Sequence, residues 1–351
     1  MTTIRFAGKT DQKQWDAYVR AHPDSWPYHL FAWRNAVEEA YGQKAYYIIA
    51  ENDGDFVGVL PLIYLRFPTL VSELTALAYC DVGNCLADDE TVGDRLLAAA
   101  VDLGRTLGVE KLHLRGQMQK SKYSSSLISR DSCDKVRMFL SLPDSSETLM
   151  ASFKSKLRSQ IRKASKNGVV FQWGEGDGAV DEFYAVFSEN MRELGSPVHS
   201  REWFAAVLRA YGENSRLGLV KFDGRTIGCA IVLIMGNRIS VPWASTLRRY
   251  NRLAAGMLLY WNLLRFSCDH GHRDFDFGRS TLNSGTYRFK YQWGARPGSL
   301  EWHSVFLKGG KTVEADHSRS LRRRVFERVW PRLPLAVTTF LGPRLRKHIS
   351  Y

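Results

Sequence analysis

The sequence contains one structural unit twice, and this repeat limits the possible folds more than any other feature. Residues 46–66 and residues 217–237 each consist of two apolar segments joined by an Asp-Gly pair, Asp53-Gly54 in the first and Asp223-Gly224 in the second. An Asp-Gly pair between two such segments predicts a β-hairpin with a two-residue turn. A third strand, an amphipathic helix and a closing strand follow each hairpin, and two helical segments precede it.

Each copy therefore predicts the order α–α–β–β–β–α–β, which is an α/β (α+β) fold with mixed β-sheets flanked by helices. The chain has 351 residues, enough for two such domains. We predict four parts: a first domain in 1–150, a basic helix in 151–168 that bridges the copies, a second domain in 169–310 that carries the active site, and a basic amphipathic tail in 311–351.

The net charge of +13 comes from two of these parts. Residues 151–168 hold six Lys or Arg and no acid, and residues 311–351 hold ten Lys or Arg against three acids. In the first segment Leu157, Ile161 and Ala164 recur at helical spacing, which predicts a helix with cations on its remaining faces. Such a helix is either a solvated surface or a site for phosphate groups.

Several kinds of site and location are not favoured. The N-terminal residues lack the apolar run of a signal peptide, and the apolar stretch 227–235 is too short for a membrane helix, so we expect a cytoplasmic protein. The five cysteines include no Cys-x-x-Cys pair. We therefore expect no metal site and no disulfide framework.

Residues 274–295 join a predicted core strand to a dense group of cations and aromatics. Phe275 and Phe277 alternate with acids, and the chain then reaches Arg279 and the run Tyr287-Arg288-Phe289-Lys290. Guanidinium and ammonium groups bind phosphates and carboxylates, arginine in a bidentate manner. This stretch predicts one wall of a cleft for a substrate that carries negative charge.

The tandem unit, from about residue 26 to residue 302, resembles the FemAB family. Four segments carry the resemblance: SKLRSQIRKASKNGV, NMRELGSPVHSREWF, PWASTLRRYNRLAAGMLLYWNLL and FDFGRSTLNSGTYRFKYQWGA. They are most similar to the FemAB-like proteins encoded with exosortase/PEP-CTERM exopolysaccharide systems. The resemblance implies two tandem GNAT-like acyltransferase domains.

The resemblance also implies an activity, N-acyl or aminoacyl transfer to an amine on a cell-envelope or exopolysaccharide precursor. The activated donor, aminoacyl-tRNA or acyl-CoA, would be a co-substrate, with no cofactor permanently bound, and tRNA would be a partner in the first case. Two alternatives stay open. One is a peptidoglycan-precursor transferase that depends on aminoacyl-tRNA, and the other is a catalytically silent assembly factor.

Five residues are predicted to be catalytic. The resemblance matches Phe289-Lys290 to a Phe-Lys motif near the FemAB active site, and we assign Lys290 to the oxyanion or the leaving group. Asp276 is either a base or the orienter of Arg279, and Tyr287 is a proton donor. His199 is either a base or a loop residue beside a helix start. The predicted substrate-binding residues are Arg288, Phe289, Trp243, Ser280, Lys156, Arg158 and Arg162.

Two departures from the related patterns affect the choice of donor and of domain. Enzymes of this fold that use CoA cradle the pyrophosphate in a glycine-rich turn before a helix, and here Met257 stands where a small residue is expected. This argues against ordinary acetyl-CoA binding. In the first domain, the segment 79–85 keeps only Gly83 of a pair of glycines usual in the family, which weakens any transfer of acceptor contacts to that domain.

The basic tail has two interpretations. Leu321, Val325, Val329 and Trp330 recur at helical spacing among arginines, a pattern typical of an interfacial helix. We therefore predict peripheral contact with an anionic membrane through residues 317–350, at the inner face. In the alternative, the tail packs over the first domain and its arginines lie in solvent.

Overall fold

The computed structural model describes residues 2–66, 72–116, 128–131, 134–308 and 326–350. These residues form two compact units. Unit 1 comprises Met1–Asp134, Ser299–Ala315 and Lys347–Tyr351, and unit 2 comprises Lys135–Gly298 and Asp316–Arg346.

Unit 1 is built on an eight-stranded sheet with the order β1-β2-β3-β4-β6-β15-β7, and β5 pairs with β3 outside this path. Its strands are β1 Thr3–Phe6, β2 Ala45–Asn52, β3 Asp55–Arg66, β4 Ser72–Ala76, β5 Leu86–Ala87, β6 Lys111–Arg115, β7 Ile128–Asp131 and β15 Trp302–Phe306. Its helices are α1 Gln12–Ala21, α2 Phe31–Tyr41 and α3 Glu90–Thr106. Strands β4 and β6 are parallel, and the other described strand pairs of this sheet are antiparallel.

Unit 2 is built on a seven-stranded sheet with the order β14-β8-β13-β12-β11-β10-β9. Its strands are β8 Lys135–Ser141, β9 Val170–Gly174, β10 Ser215–Phe222, β11 Arg225–Met235, β12 Arg238–Thr246, β13 Asp274–Thr281 and β14 Arg296–Ser299. Its helices are α4 Ser146–Ser152, α5 Ser155–Lys166, α6 Gly176–Glu193, α7 Arg201–Tyr211, α8 Ala255–Asp269, α9 Gly285–Tyr291 and α10 Leu335–Arg346. Strands β12 and β13 are parallel.

The repeat predicted from the sequence is confirmed down to local irregularities. Both Asp-Gly turns have positive φ at both central residues, as a type I′ hairpin turn requires. Each hairpin also contains a register shift three residues before its turn, between Ala50 and Glu51 in unit 1 and between Val220 and Lys221 in unit 2. The order α–α–β–β–β–α–β recurs as predicted, so the mixed α/β fold with two tandem units is confirmed.

The second strand after each copy, β8 after the first and β15 after the second, belongs to the sheet of the other copy. In unit 1, β6 has β15 as its antiparallel neighbour, and in unit 2, β13 has β8 as its antiparallel neighbour. Periodicity within each copy does not reveal such an exchange. The unit boundary therefore lies between Asp134 and Lys135 and differs from the boundary predicted after residue 150.

The basic helix α5 belongs to unit 2. Its apolar residues Leu157, Ile161 and Ala164 are buried, and they join the core of unit 2 beside α8. Burial of this stripe gives the helix a fixed place, whereas the sequence predicted a connector between the two copies.

The C-terminal segment divides between the units. Helix α10 packs on α6 in unit 2, whereas Tyr79 in unit 1 bonds to the end of the chain, its hydroxyl donating to the carbonyl of Lys347 at 2.7 Å. The predicted tail residues Leu321 and Val325 lie outside the described residues. No helix in the described ranges has the length and apolar character needed to cross a membrane.

Candidate active site

The parallel strands β12 and β13 are paired over only three residues. The register runs from Arg238 opposite Asp274 to Ser240 opposite Asp276. Beyond this point β12 continues to Thr246 and β13 to Thr281, and no backbone bridge joins them within the described residues. The two strands therefore separate at one end of the sheet of unit 2, and we call the space between their unpaired ends the wedge.

Helix α8 begins beside the wedge with an unusual first turn. Ala254 precedes the helix with φ of 60°, and the first helical hydrogen bond runs from the N–H of Met257 to the carbonyl of Ala254 at 2.9 Å. The N–H groups of Ala255 and Gly256 precede that bond, so they are donors that the helix itself does not use. No acid lies in this first turn. Such a helix start attracts a phosphate or another anion.

Met257 does not obstruct this turn. Its side chain is buried in the core of unit 2. A Cβ atom added to Gly256 would meet Thr246 at 3.8 Å and Phe289 at 3.9 Å, both ordinary contact distances. The methionine that argued from the sequence against a pyrophosphate cradle therefore points into the core, and that sequence argument loses its force.

A bulge in β13 forms one wall of the wedge, and Asp276 fixes it from one side. The pairing of β13 with β8 shifts between Asp276 and Arg279. Arg137 donates to one oxygen of the Asp276 carboxylate through Nε at 2.9 Å and Nη2 at 2.7 Å, and the N–H of Gly278 donates to the other at 2.8 Å. Gly278 has φ of 74°, a conformation that favours glycine.

These contacts correct the predicted role of Asp276. Its partner is Arg137 and not Arg279, and the aspartate is fully buried. Both oxygens of the carboxylate already accept hydrogen bonds, three in all, from a buried cation and a backbone amide. We therefore assign Asp276 to positioning the bulge, and these contacts do not support the predicted base role. No local pattern indicates Arg137, because 139 residues separate the two partners.

Lys290 fixes the same bulge from the other side. Helix α9 is capped by Ser284, whose hydroxyl accepts from the N–H of Tyr287, and it places the Lys290 ammonium against the bulge. The ammonium donates to the carbonyl of Gly278 at 3.1 Å and to that of Arg279 at 2.8 Å, and the side chain is 8% exposed. Lys290 thus holds two backbone carbonyls of the bulge, and from these contacts we infer that it is a positioning residue; its predicted role at the oxyanion or the leaving group stays a prediction.

An aromatic cluster missed by the sequence analysis lies behind the wedge. Tyr260 of α8 stacks on Phe277 at 5.5 Å between ring centroids and meets Phe289 edge-on at 5.1 Å. Phe289 in turn contacts Trp293 at 6.2 Å. Burial raises the pKa of Tyr260 well above its ordinary value, so its hydroxyl stays protonated and can donate a hydrogen bond. The sequence did not single out Tyr260, because it lies among the apolar residues of the α8 segment.

Several of the predicted site residues lie on β13 and α9. Arg279 is partly exposed on β13, and Tyr287 is partly exposed on α9 with its ring stacked on Tyr291. Ser280 is buried, and its hydroxyl, like that of Ser240, has no hydrogen-bond partner in the part of the chain described. Unpartnered buried hydroxyls on both strands are the kind of polar group that a bound ligand satisfies.

His199 and Trp243 form a separate aromatic cluster in unit 2. The imidazole stacks on Trp203 at 5.4 Å and meets Trp243 edge-on at 6.4 Å, and all three residues are buried. Arg346 Nε donates to His199 Nε2 at 3.1 Å, so Nε2 is the acceptor and Nδ1 carries the proton. Burial, with the nearby Arg346 charge, holds the pKa of His199 well below its ordinary value.

This environment corrects the base role predicted for His199. The lone pair on Nε2 is already used by Arg346, and the imidazole is 3% exposed. The alternative, a structural histidine beside a helix start, agrees with the contacts, since Ser200 caps α7 by accepting from the N–H of Trp203. Trp243 packs in the same cluster and offers little of its surface to a ligand.

The remaining predicted cations divide between a cleft and open surface. A cleft of about 860 Å³ lies between β8, α4, the start of α5 and the end of α9. Its lining includes Lys154, Lys156, Arg288 and Arg296 and contains no carboxylate. Arg158 is partly exposed and donates weakly to the carbonyl of Ala151 at 3.5 Å, and Arg162 is exposed. We call this space the cationic cleft.

Unit 1 contains the counterpart of the wedge between β4 and β6, and the segment around Gly83 occupies it. Strands β4 and β6 are also paired over three residues, from Glu73 opposite Lys111 to Thr75 opposite His113. Gly83 then forms a bridge with Arg115 and donates its N–H to the Arg115 carbonyl at 2.7 Å. A Cβ on Gly83 would lie 2.1 Å from the carbonyl oxygen of Ala76, so only glycine fits there. No such bridge spans the wedge of unit 2 among the residues that the structure describes, so that wedge is the better candidate site.

No cluster of three potential metal ligands occurs among the residues that the structure describes.

Comparison with known proteins agrees with this fold. Residues 151–291 match the family model described as Acetyltransferase (GNAT) domain. No curated protein matches the sequence significantly. The matched range includes the wedge, α8, the bulge and α9. It confirms, for unit 2, the fold and the enzyme class predicted from the sequence, an acyltransferase.

Solved structures extend the similarity over both units. A structure of FemX is similar with 14% identity and a TM-score of 0.68, covering 87% of this chain and 98% of that chain. A tandem GNAT protein from the clavulanic acid biosynthesis pathway shares 13% identity at a TM-score of 0.54, covering 89% and 100%. The C-terminal domain of a putative lysylphosphatidylglycerol synthetase from Agrobacterium fabrum shares 12% identity at 0.56, covering 90% and 96%. At such identities the likeness concerns the fold.

Proposed function

We propose that the chain is an N-acyltransferase whose activated donor lies in the wedge of unit 2. The acceptor would be an amine on a cell-envelope or exopolysaccharide precursor. The observation that carries the proposal is the contrast between the two units. The same strand separation occurs in both, but Gly83 bridges it in unit 1, whereas among the described residues no bridge spans it in unit 2, beside the start of α8.

The wedge supplies the groups that acyl transfer needs. Within the described residues no bridge joins β12 to β13 beyond Ser240 and Asp276, so an extended acyl donor can align between the two strands, and the start of α8 can hold its phosphates. The acceptor amine attacks the carbonyl carbon, the new C–N bond forms, and the bond to the leaving sulfur or oxygen breaks. The proton lost by the amine ends on the leaving group, and we assign the stabilisation of that group to the hydroxyl of Tyr260, which stays protonated because burial raises its pKa.

Either donor suggested by the sequence fits these groups. Acyl-CoA carries a pyrophosphate for the α8 turn, and the burial of Met257 removes the objection to it. Aminoacyl-tRNA would in addition use the cationic cleft, where Lys156 and Arg288 belong to a lining without a carboxylate, and the exposed Arg162 of α5. The name FemX of one similar structure motivates the peptidoglycan-type alternative for this chain.

The decisive test fills the wedge without disturbing the fold. In Gly256→Leu, the new side chain projects toward Thr246 and Phe289 from a Cβ position that meets no clash. The matched control is Gly178→Leu on α6, where nothing lies within 4 Å of the added Cβ. Binding of acetyl-CoA and of aminoacyl-tRNA is measured by calorimetry for the wild type and both variants.

We expect one donor to bind the wild type and Gly178→Leu with equal affinity. Gly256→Leu should lower the affinity for that donor at least tenfold, and the unfolding midpoint of this variant should equal that of the wild type. Equal donor affinity in both variants would place the donor elsewhere. A stable fold that binds neither donor would favour the silent assembly factor.

A further inference from the structure

Helix α10 has the reverse of the usual arrangement for a surface helix. It buries two small residues, Thr338 and Gly342, against unit 2. It directs four large apolar side chains to solvent, with exposures of 37% for Val337, 59% for Phe340, 38% for Leu341 and 41% for Leu345. A globular protein normally turns such a stripe toward its core. The exposed apolar side of α10 is therefore a surface that needs a partner.

The contacts of α10 prevent the helix from turning this stripe inward. A Cβ on Gly342 would lie 3.0 Å from the N atom and 3.1 Å from Cγ1 of Val198. The close approach at Gly342 sets the rotation of the helix about its axis. Any rotation that buried Phe340 would force a large side chain into the close approach between Gly342 and Val198.

The charges around the stripe have one sign. From Arg328 to the C-terminus the sequence contains no acid, and Glu327 is the last one. Arg332 and Arg344 are exposed near the two ends of α10, and the Arg344 guanidinium lies 3.7 Å from the centre of the Phe340 ring. Apolar side chains bordered by arginines without acids complement a surface that is apolar inside and negatively charged outside.

We propose that α10 docks this side on the surface of an anionic phospholipid membrane. Phe340, Leu341 and Leu345 enter the boundary between the headgroups and the acyl chains, and Arg332 and Arg344 bind the lipid phosphates. The helix lies in the plane of the membrane surface, since its 12 residues are too short to span it. Docking is independent of acyl transfer and persists in a protein without bound donor.

Co-sedimentation of the full chain with vesicles tests this assignment. Vesicles of phosphatidylcholine with phosphatidylglycerol are compared with vesicles of phosphatidylcholine alone. The variant Phe340→Ser/Leu341→Ser removes the apolar contact, and Phe6→Ser is the control, because Phe6 is 56% exposed in unit 1. Arg344→Gln removes one charge and keeps the apolar residues, so the test does not depend on a single variant.

We expect the wild type and Phe6→Ser to bind the anionic vesicles and to lose binding as salt is added. The double variant should weaken binding by at least tenfold, and Arg344→Gln by about fivefold. Equal binding by wild type and double variant, or no binding by the wild type, would overturn the proposal. So would a dimer that forms without lipid and disappears in the double variant, since a second copy would then cover the stripe.

Discussion

The buried ion pair between Arg137 and Asp276 gives the sharpest test of how the wedge is built. Only 5% of the arginine side chain and 1% of the aspartate side chain are exposed. In Asp276→Asn the amide keeps the size of the carboxylate but loses its charge, so the buried guanidinium of Arg137 loses the counter-charge that Asp276 supplies. Removing one partner of a buried pair costs about 3–5 kcal/mol, and the free energy of unfolding should fall by that amount.

The exposed pair between Asp144 and Arg273 provides the control. These side chains are 85% and 49% exposed, so Asp144→Asn should cost no more than about 1 kcal/mol. Urea denaturation of unit 2 is followed by tryptophan fluorescence for both variants. The double variant Arg137→Met/Asp276→Asn removes both charges and should recover at least about 1 kcal/mol relative to the sum of the single losses.

Two results would refute this reasoning. One is an Asp276→Asn variant within about 1 kcal/mol of the wild type, since the buried charge of Arg137 would then find another partner at little cost. The other is a double variant whose loss equals the sum of the two single losses. In that case the two residues would not stabilise the bulge as a pair.

Three further predictions concern other parts of unit 2. Lys290→Met leaves the carbonyls of the bulge without their donor and should lower the free energy of unfolding by about 2–4 kcal/mol, measured by urea denaturation; an unchanged midpoint would contradict it. The pKa of His199 is depressed in the fold, so the unfolded chain binds the extra proton, and stability should fall as pH drops below 6.5. The slope is at most about 1.4 kcal/mol per pH unit, and His199→Gln should reduce it in denaturation series at pH 7.5 and 5.5; an unchanged slope would argue against this. Gly342→Leu should displace α10 at a cost of about 1–3 kcal/mol, visible as faster amide exchange in residues 335–346, and unaltered exchange would contradict the close packing on Val198.

The repeat was predictable because sequence patterns that each span only a few neighbouring residues indicate its elements. The Asp-Gly turns, the alternating strands and the helical spacing of Leu157, Ile161 and Ala164 each act within a few residues. The enzyme class followed from the resemblance of short segments in unit 2. Those same segments placed Lys290 and Phe289 at the candidate site.

The roles of the site residues could not be read from the sequence, because they depend on long-range partners. Asp276 was expected to act on the nearby Arg279. Its partner is instead Arg137 on β8, a strand that follows the first copy in sequence and pairs with β13 in the sheet of unit 2. His199 was expected to titrate near neutrality, yet Arg346 and burial keep it neutral. No local pattern reports either contact.

The closing of the first wedge illustrates the same limit. Gly83 was the only remaining glycine of a family pattern and suggested a weakened site. The structure assigns it a specific position, a bridge to Arg115 beside Ala76 that leaves no room for a side chain. Only the three-dimensional arrangement reveals that Gly83 bridges the separated strands in unit 1, whereas no bridge spans the wedge among the described residues of unit 2.

Amide hydrogen exchange with and without the donor tests the central claim most directly. The donor used is acetyl-CoA or aminoacyl-tRNA, whichever of the two binds the protein in the calorimetric experiment. We predict that it slows exchange in residues 241–246, 254–257 and 277–281, which line the wedge, and leaves the first-unit segment 76–83 unchanged. Protection of 76–83, or of the cationic cleft alone, with no change along the wedge would contradict the account.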